Sequence, residues 1–239
     1  MKKYSGEECD RECENNQDTP QQQIVDMGSS VVTNSRGTIH CLTIIGQIEG
    51  HMLLPSNTKT TKYEHVMPLL ASIEESDEVD GLLLLLNTMG GDIEAGLAIA
   101  EMIAGMSKPT VTLVLGGGHS IGIPLAVSGK VNLIVPSASM TIHPVRMTGM
   151  MIAAPQTYRY FDRLQERIVA FVTKNSRISA ETFRRLMLAT DEMANDVGSV
   201  VYGEEAVELG LMDRIGTLSD ALECLYGMIG EGKENTAAE

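Results

Sequence analysis

Between residues 81 and 136 the chain alternates unbroken apolar runs with glycine-rich breaks: GLLLLL, NTMGGD, IEAGLAIAEMIAGM, PTVTLVL, GGGHSIG, IPLAVSG and VNLIVP. An apolar run without polar alternate positions must be covered on both faces, as a strand is in a parallel sheet flanked by helices. In IEAGLAIAEMIAGM, Ile93, Leu97, Ala100 and Ile103 recur at helical spacing. Strand, helix, strand, helix, strand predicts an α/β fold with a parallel βαβ core and right-handed crossovers.

The flanking sequence extends this plan. IHCLTIIGQI, from residue 39, is β-branched and apolar and predicts a buried strand. KYEHVMPLLASIEES predicts a helix with Val66, Leu69, Leu70 and Ile73 on one face. The second half opens with a long helix over about residues 155–174, with Pro155 in its first turn and Phe161, Leu164, Ile168 and Phe171 as its stripe. Ser179 caps the following helix, with Glu181 in the first turn. GEEAVELG is read as a short helix ended by Gly210, and SDALECLYGMI as a last amphipathic helix. Residues 1–35, rich in Glu, Asp, Asn and Gln, predict a mobile polar arm, residues 36–230 a single domain, and residues 231–239 a polar tail.

Composition narrows the function classes. Hydrophobic content of 43% and charged content of 21% allow a sizeable core, built without Trp and with 15 Met. A net charge of −14 argues against nucleic acid or an anionic membrane as the main partner. The N-terminal segment has no apolar stretch of the kind a secretory leader needs, and the longest apolar run, Gly81 to Leu86, is too short to span a membrane. Cys9, Cys13, Cys41 and Cys224 form no disulfide framework, so a reducing, cytoplasmic setting is expected. Cys9 and Cys13 lack companion ligands, so neither a metal nor a cofactor is expected.

Two strands end in glycine-rich turns that open helices, NTMGG and GGGHSIG. In a parallel sheet such ends share one edge, where ligands bind. Either turn alone is read as a tight bend that needs glycine. Together they offer two sets of main-chain N–H groups near helix starts, suited to a developing oxyanion, with Ser120 at the head of a helix. Of the five histidines, His143 ends the strand-like SMTIH one βα step after Ser120 and falls at the same edge. His119, beside Ser120, is expected to point elsewhere, because adjacent side chains at a turn diverge.

These segments resemble, in order, the motifs of the proteolytic subunit of Clp protease (ClpP). LLLNTMGGDIEAGLAIAEMI is similar to the family's I-N-S-P-G-G segment and its helix, GGGHSIGIPLAVSGK to its G-x-A-A-S-M nucleophile segment, PSASMTIHPV to its P-x-S-x-x-M-I-H-Q-P segment, and GEEAVELGLMDRIG to its closing segment. The resemblance runs over roughly residues 37–217. It implies a ClpP/crotonase-like fold, a spiral of repeated ββα units with a projecting handle helix. It further implies a serine peptidase, with Ser120 as nucleophile, His143 as general base, and the N–H groups of Gly90 and Ile121 as oxyanion hole. The family's aspartate, counted without gaps, falls on Gly198; Asp196, two residues earlier, and Asp191 are the nearest acids, and Asp196 is preferred. His119 stands where the family has a small residue, and Met89 where it has proline.

The resemblance also implies a homo-oligomer of heptameric rings, stacked face to face through the handle helix. The substrates would be peptides or unfolded proteins, with exported-protein precursors or signal peptides as one class. The N-terminal arm does not resemble the family's pore loops, which leaves an ATPase unfoldase partner open. Two other readings stand beside the peptidase: a crotonase-type acyl-CoA enzyme, whose oxyanion hole uses the same two loops, and a ClpP-like scaffold without catalysis.

Overall fold

A computed structural model describes residues 28–146, 153–191 and 196–237. The central sheet follows the order β1 (Ser29–Asn34), β2 (Gly37–Glu49), β4 (Gly81–Gly91), β5 (Thr110–Gly118), β6 (Val131–Ile134) and β9 (Arg214–Ile215). From β2 to β9 all pairings along this path are parallel, as the runs of apolar residues require. The leucines of β4 divide between two cores. Leu82, Leu84 and Leu86 face the larger one, with Val66, Leu70 and Ile73 of α1 (Tyr63–Glu75) and Leu97, Ala100 and Ile103 of α2 (Ile93–Gly105). Leu83 faces the smaller, with Val111, Leu113 and Leu133 of the sheet and Ala221, Leu225 and Ile229 of α7 (Leu218–Ala237). Covering both faces in this way is what an α/β architecture needs to bury such a run, at about 1.5–3 kcal/mol for each fully buried leucine.

Residues 29–34, which the sequence assigns to the polar arm, instead form β1. This strand pairs antiparallel with β2 around a turn at Ser35–Arg36, with Asn34 opposite Gly37. Val31 and Val32 on it are exposed, so burial gave no apolar pattern to read. The remainder of the expected arm, residues 1–27, lies outside the described residues.

Beyond α3 (Gly122–Ala126) the chain builds a side branch. β5 pairs with β6 along Val111–Val114, then at Gly117 with Ser139 of β7 (Ser139–Ile142). β7 pairs antiparallel with β8 (Ser199–Tyr202), Ile142 opposite Ser199. The expected long helix is α4 (Ala154–Lys174), with Pro155 in its first turn. Its first turns are exposed, while Leu164, Val169, Phe171 and Val172 are buried, so it projects as a handle rooted at its C-terminal end. Arg167 on its shaft makes a bidentate pair with Glu94 of α2. Ser179 caps α5 (Ala180–Met187), accepting from the Thr182 amide. Gly210, at φ +73°, lies two residues past α6 (Gly203–Glu208).

Candidate active site

The two glycine-rich turns meet at one end of the sheet. At the end of β4, Gly90 and Gly91 have φ of +91° and +152°, backbone that a side chain tolerates poorly. Their tightness has a steric cause: a Cβ on Gly90 would lie 2.8 Å from Ser120 Cβ, and one on Gly91 2.2 Å from the Ile48 carbonyl. Asp92 then caps α2, its carboxylate accepting from the Ala95 amide at 2.9 Å.

At the end of β5 the glycines serve another purpose. Gly116, Gly117 and Gly118 adopt ordinary φ. They make room for polar side chains: a Cβ on Gly116 would strike the Asn87 amide at 2.6 Å, and one on Gly117 the His119 ring at 2.5 Å. Asn87 in turn accepts from the Gly117 amide. The bend itself is made by Ser120, a non-glycine residue at φ +57°. Left-handed backbone at a non-glycine residue costs about 1–2 kcal/mol. Three contacts hold it there. The Ser120 amide donates to the Thr141 carbonyl at 2.9 Å, the His119 amide to the Thr88 carbonyl at 3.1 Å, and His119 Nδ1 bonds Thr141 Oγ1 at 2.8 Å. His119 thus points away from the cleft, toward β7, as the divergence of neighbouring side chains at the turn predicts.

Ser120 and His143 line the same cleft, of about 410 Å³. Its walls are Met89, Gly90, Ile93, Ile121, Ile123, Ile142, Phe183 and Met187, with Gln47 and Arg146 as polar members. Among the described residues no hydrogen bond joins Ser120 Oγ to His143, a contact that in many enzymes tightens only around substrate. The Gly90 amide donates to Thr88 Oγ1 at 3.1 Å, and Thr88 Oγ1 donates to the Gly46 carbonyl. Ile121, whose amide is the other oxyanion candidate, has helical backbone at the head of α3.

His143 directly follows β7, and its Nδ1 is 2.7 Å from the carbonyl oxygen of Pro144. Burial holds its imidazole below the ordinary histidine range; the Pro144 carbonyl and the charge of Asp196 pull it up, and Arg146 pushes it further down. Burial, with His143 nearby, likewise holds His119 low. Asp196 is half-exposed; its Oδ2 is 2.8 Å from an Arg146 guanidinium nitrogen and its Oδ1 accepts from the Val197 amide. Asp191, the other acid considered, lines a separate depression with Arg184 and Arg185. Gly198 packs directly on His143: a Cβ there would lie 2.3 Å from the Ile142 carbonyl and 2.9 Å from His143 Cβ. The position reached by the ungapped count thus lies against His143, and no side chain fits there.

The sequence missed Thr141, whose carbonyl and hydroxyl both hold the Ser120 turn, and the carbonyl of Pro144. Main-chain partners leave no residue-type signal. The unexplained histidine at 119 was the one available hint.

The chain matches the family model described as Clp protease over residues 35–219. It belongs to the Clp protease family. It is 54% identical over 201 residues to the translocation-enhancing protein TepA of Halalkalibacterium halodurans, covering 84% of this chain and 78% of that one. The proteolytic subunit of the ATP-dependent Clp protease of Lactococcus lactis is 27% identical over 130 residues, half of this chain and 63% of its own length. Proteolytic subunit 1 of Protochlamydia amoebophila is 26% identical over 153 residues, 60% of this chain and 68% of that one. Membership of this family supports a peptidase-type function. The described architecture, an α/β core with a projecting helix, is consistent with a ClpP-like fold. No helix among the described residues is long and apolar enough to cross a membrane, and no group of three or more His, Cys, Asp or Glu among them could hold a metal ion.

Proposed function

We propose that the protein is a serine endopeptidase that cleaves peptides or unfolded proteins inside an oligomeric chamber. The observation that carries this reading is the shared cleft: Ser120, bent into left-handed backbone at a strand-to-helix turn, and His143, directly after β7, line one cavity with apolar walls. Ser120 Oγ attacks the peptide carbonyl carbon as His143 Nε2 takes its proton, and the carbonyl electron pair moves onto oxygen. The Ile121 amide and the Gly90 amide, the latter on release from Thr88 Oγ1, donate to that oxygen. The intermediate collapses as His143 protonates the leaving nitrogen, and water then hydrolyses the acyl-enzyme by the same steps reversed in role. Asp196 stands beside this pair of residues, ion-paired with Arg146, and its charge favours the imidazolium. The apolar walls suit a large apolar side chain next to the cleaved bond.

By analogy with the family, the chain assembles into heptameric rings stacked through α4 and works in the cytoplasm. The name of the Halalkalibacterium relative supports exported-protein precursors or signal peptides as substrates. One observation favours a second reading, a family member without catalysis: the Gly90 amide is engaged by Thr88 Oγ1. A fluorophosphonate probe decides between them. Labelling of the wild type and loss of labelling in Ser120→Ala are expected; no labelling of the wild type, or labelling that survives Ser120→Ala, refutes the peptidase.

A further inference from the structure

We infer that the general base of this site is oriented by a main-chain carbonyl, that of Pro144, so that Ser120 and His143 act as a dyad and the Asp196–Arg146 pair stands beside them. This rests on the peptidase reading above and concerns which group fixes the imidazole.

Three observations carry it. First, the position opposite His143 on β8's approach is Gly198, whose backbone packs on the His143 Cα and Cβ and leaves no space for a carboxylate. Second, both oxygens of Asp196 are engaged elsewhere, one by Arg146 and one by the Val197 amide. Third, His143 Nδ1 lies 2.7 Å from the Pro144 carbonyl oxygen. A carbonyl only accepts, so Nδ1 must carry the proton, and the neutral ring is left with its lone pair on Nε2, the tautomer a general base requires. Proline supplies the rigidity: its ring fixes its own φ and restricts the backbone of the histidine before it. An orienting acid in a triad does the same job of selecting tautomer and aim, without itself taking the proton.

The proton balance is that of a dyad. Ser120 Oγ–H passes its proton to Nε2 as the Oγ–C bond forms. Nδ1–H stays on the ring throughout, bonded to the Pro144 oxygen. The Nε2 proton leaves with the amine when the C–N bond breaks. The imidazolium is then stabilised by a carbonyl dipole and by the field of Asp196, against the opposing field of Arg146.

The test compares full-length wild type with Asp196→Asn. ¹⁵N–¹H spectra of the histidine rings are expected to show His143 protonated on Nδ1, with that proton protected from solvent exchange, in both proteins. The kcat of Asp196→Asn on a fluorogenic peptide is expected to stay within about tenfold of wild type, whereas replacing a triad's tautomer-fixing acid by its amide costs about 10⁴. A loss beyond tenfold, or a His143 protonated on Nε2 in Asp196→Asn, overturns the inference. The tautomer is read without turnover. A protein whose Ser120 does not label would therefore refute the peptidase while the spectra still score the dyad.

Discussion

Alanine at position 117 is expected to change the sign of its effect on stability according to whether His119 is present. A methyl group there would lie 2.5 Å from His119 Nε2 and 2.6 Å from Cδ2. Contact distance between such atoms is about 3.5–4 Å, so the ring must retreat by about 1 Å. The bond from Nδ1 to Thr141 Oγ1, at 2.8 Å, has no such slack, because at about 3.6 Å it is no longer a hydrogen bond. Its loss costs about 1 kcal/mol. Against this, Gly117 has ordinary φ, so alanine restricts the unfolded chain and returns about 0.4–1 kcal/mol. In wild type the two nearly cancel or leave a net loss. In His119→Ala the ring is gone and only the gain remains. The Thr88 carbonyl, 3.3 Å from the new methyl, is common to both backgrounds and drops out of the cycle. Urea unfolding of the four proteins, at one protein concentration so that assembly does not shift the midpoints, gives the coupling. A coupling of about 1 kcal/mol or more is expected. Additivity within about 0.5 kcal/mol would show that the middle position of the glycine run does not exist to seat the histidine.

Stability is also expected to fall on acidification through about pH 6.5, the ordinary histidine value. His40, His119 and His143 are all held below that value, burial being the largest cause in each, so the unfolded chain binds protons before the folded one does. Their contribution is complete above the unfolded value and declines below it, and His40→Gln should flatten the slope of unfolding free energy against pH between 5 and 7. An unchanged slope would assign the acid sensitivity to other groups. The same burial of His143 places the acid limb of kcat/KM below pH 6.5, and a limb above that value would contradict its environment. Asp92→Ala removes the cap of α2 and should cost about 1 kcal/mol, while Asp92→Asn, which can still accept from the Ala95 amide, should cost less. Equal losses would mean that charge rather than capping matters there.

What could be read in the chain before folding follows from how many side chains a feature recruits. GLLLLL and PTVTLVL mark β4 and β5 because both faces of these strands are buried, and α2 shows itself through Ile93, Leu97, Ala100 and Ile103. β1 escaped because Val31 and Val32 face outward at the sheet's edge. At the site, Ser120 and His143 could be singled out from their places near strand ends, and one cleft is lined by both. Their supports were not found, since the Thr141 and Pro144 carbonyls belong to every residue type alike. The glycines were legible as glycines but not in purpose: those after β4 carry unusual backbone, while those ending β5 clear space for Asn87 and His119.

The fork in β5 decides which substitutions near the cleft the fold absorbs. Its first half is tied to β6 inside the main sheet, while its end is tied to β7, which leads into His143 and is itself paired to β8 by four residues. The Ser120 turn and the strand leading to His143 are therefore held in one frame, joined through Thr141. The stretch entering β8, which offers Asp196 and Gly198, hangs on the far side of that branch, with Asp196 turned to solvent and a guanidinium. Asp196 belongs to neither core, so its replacement leaves both intact, whereas a side chain at Gly198 would press on Ile142 and His143 and shift the strand end itself.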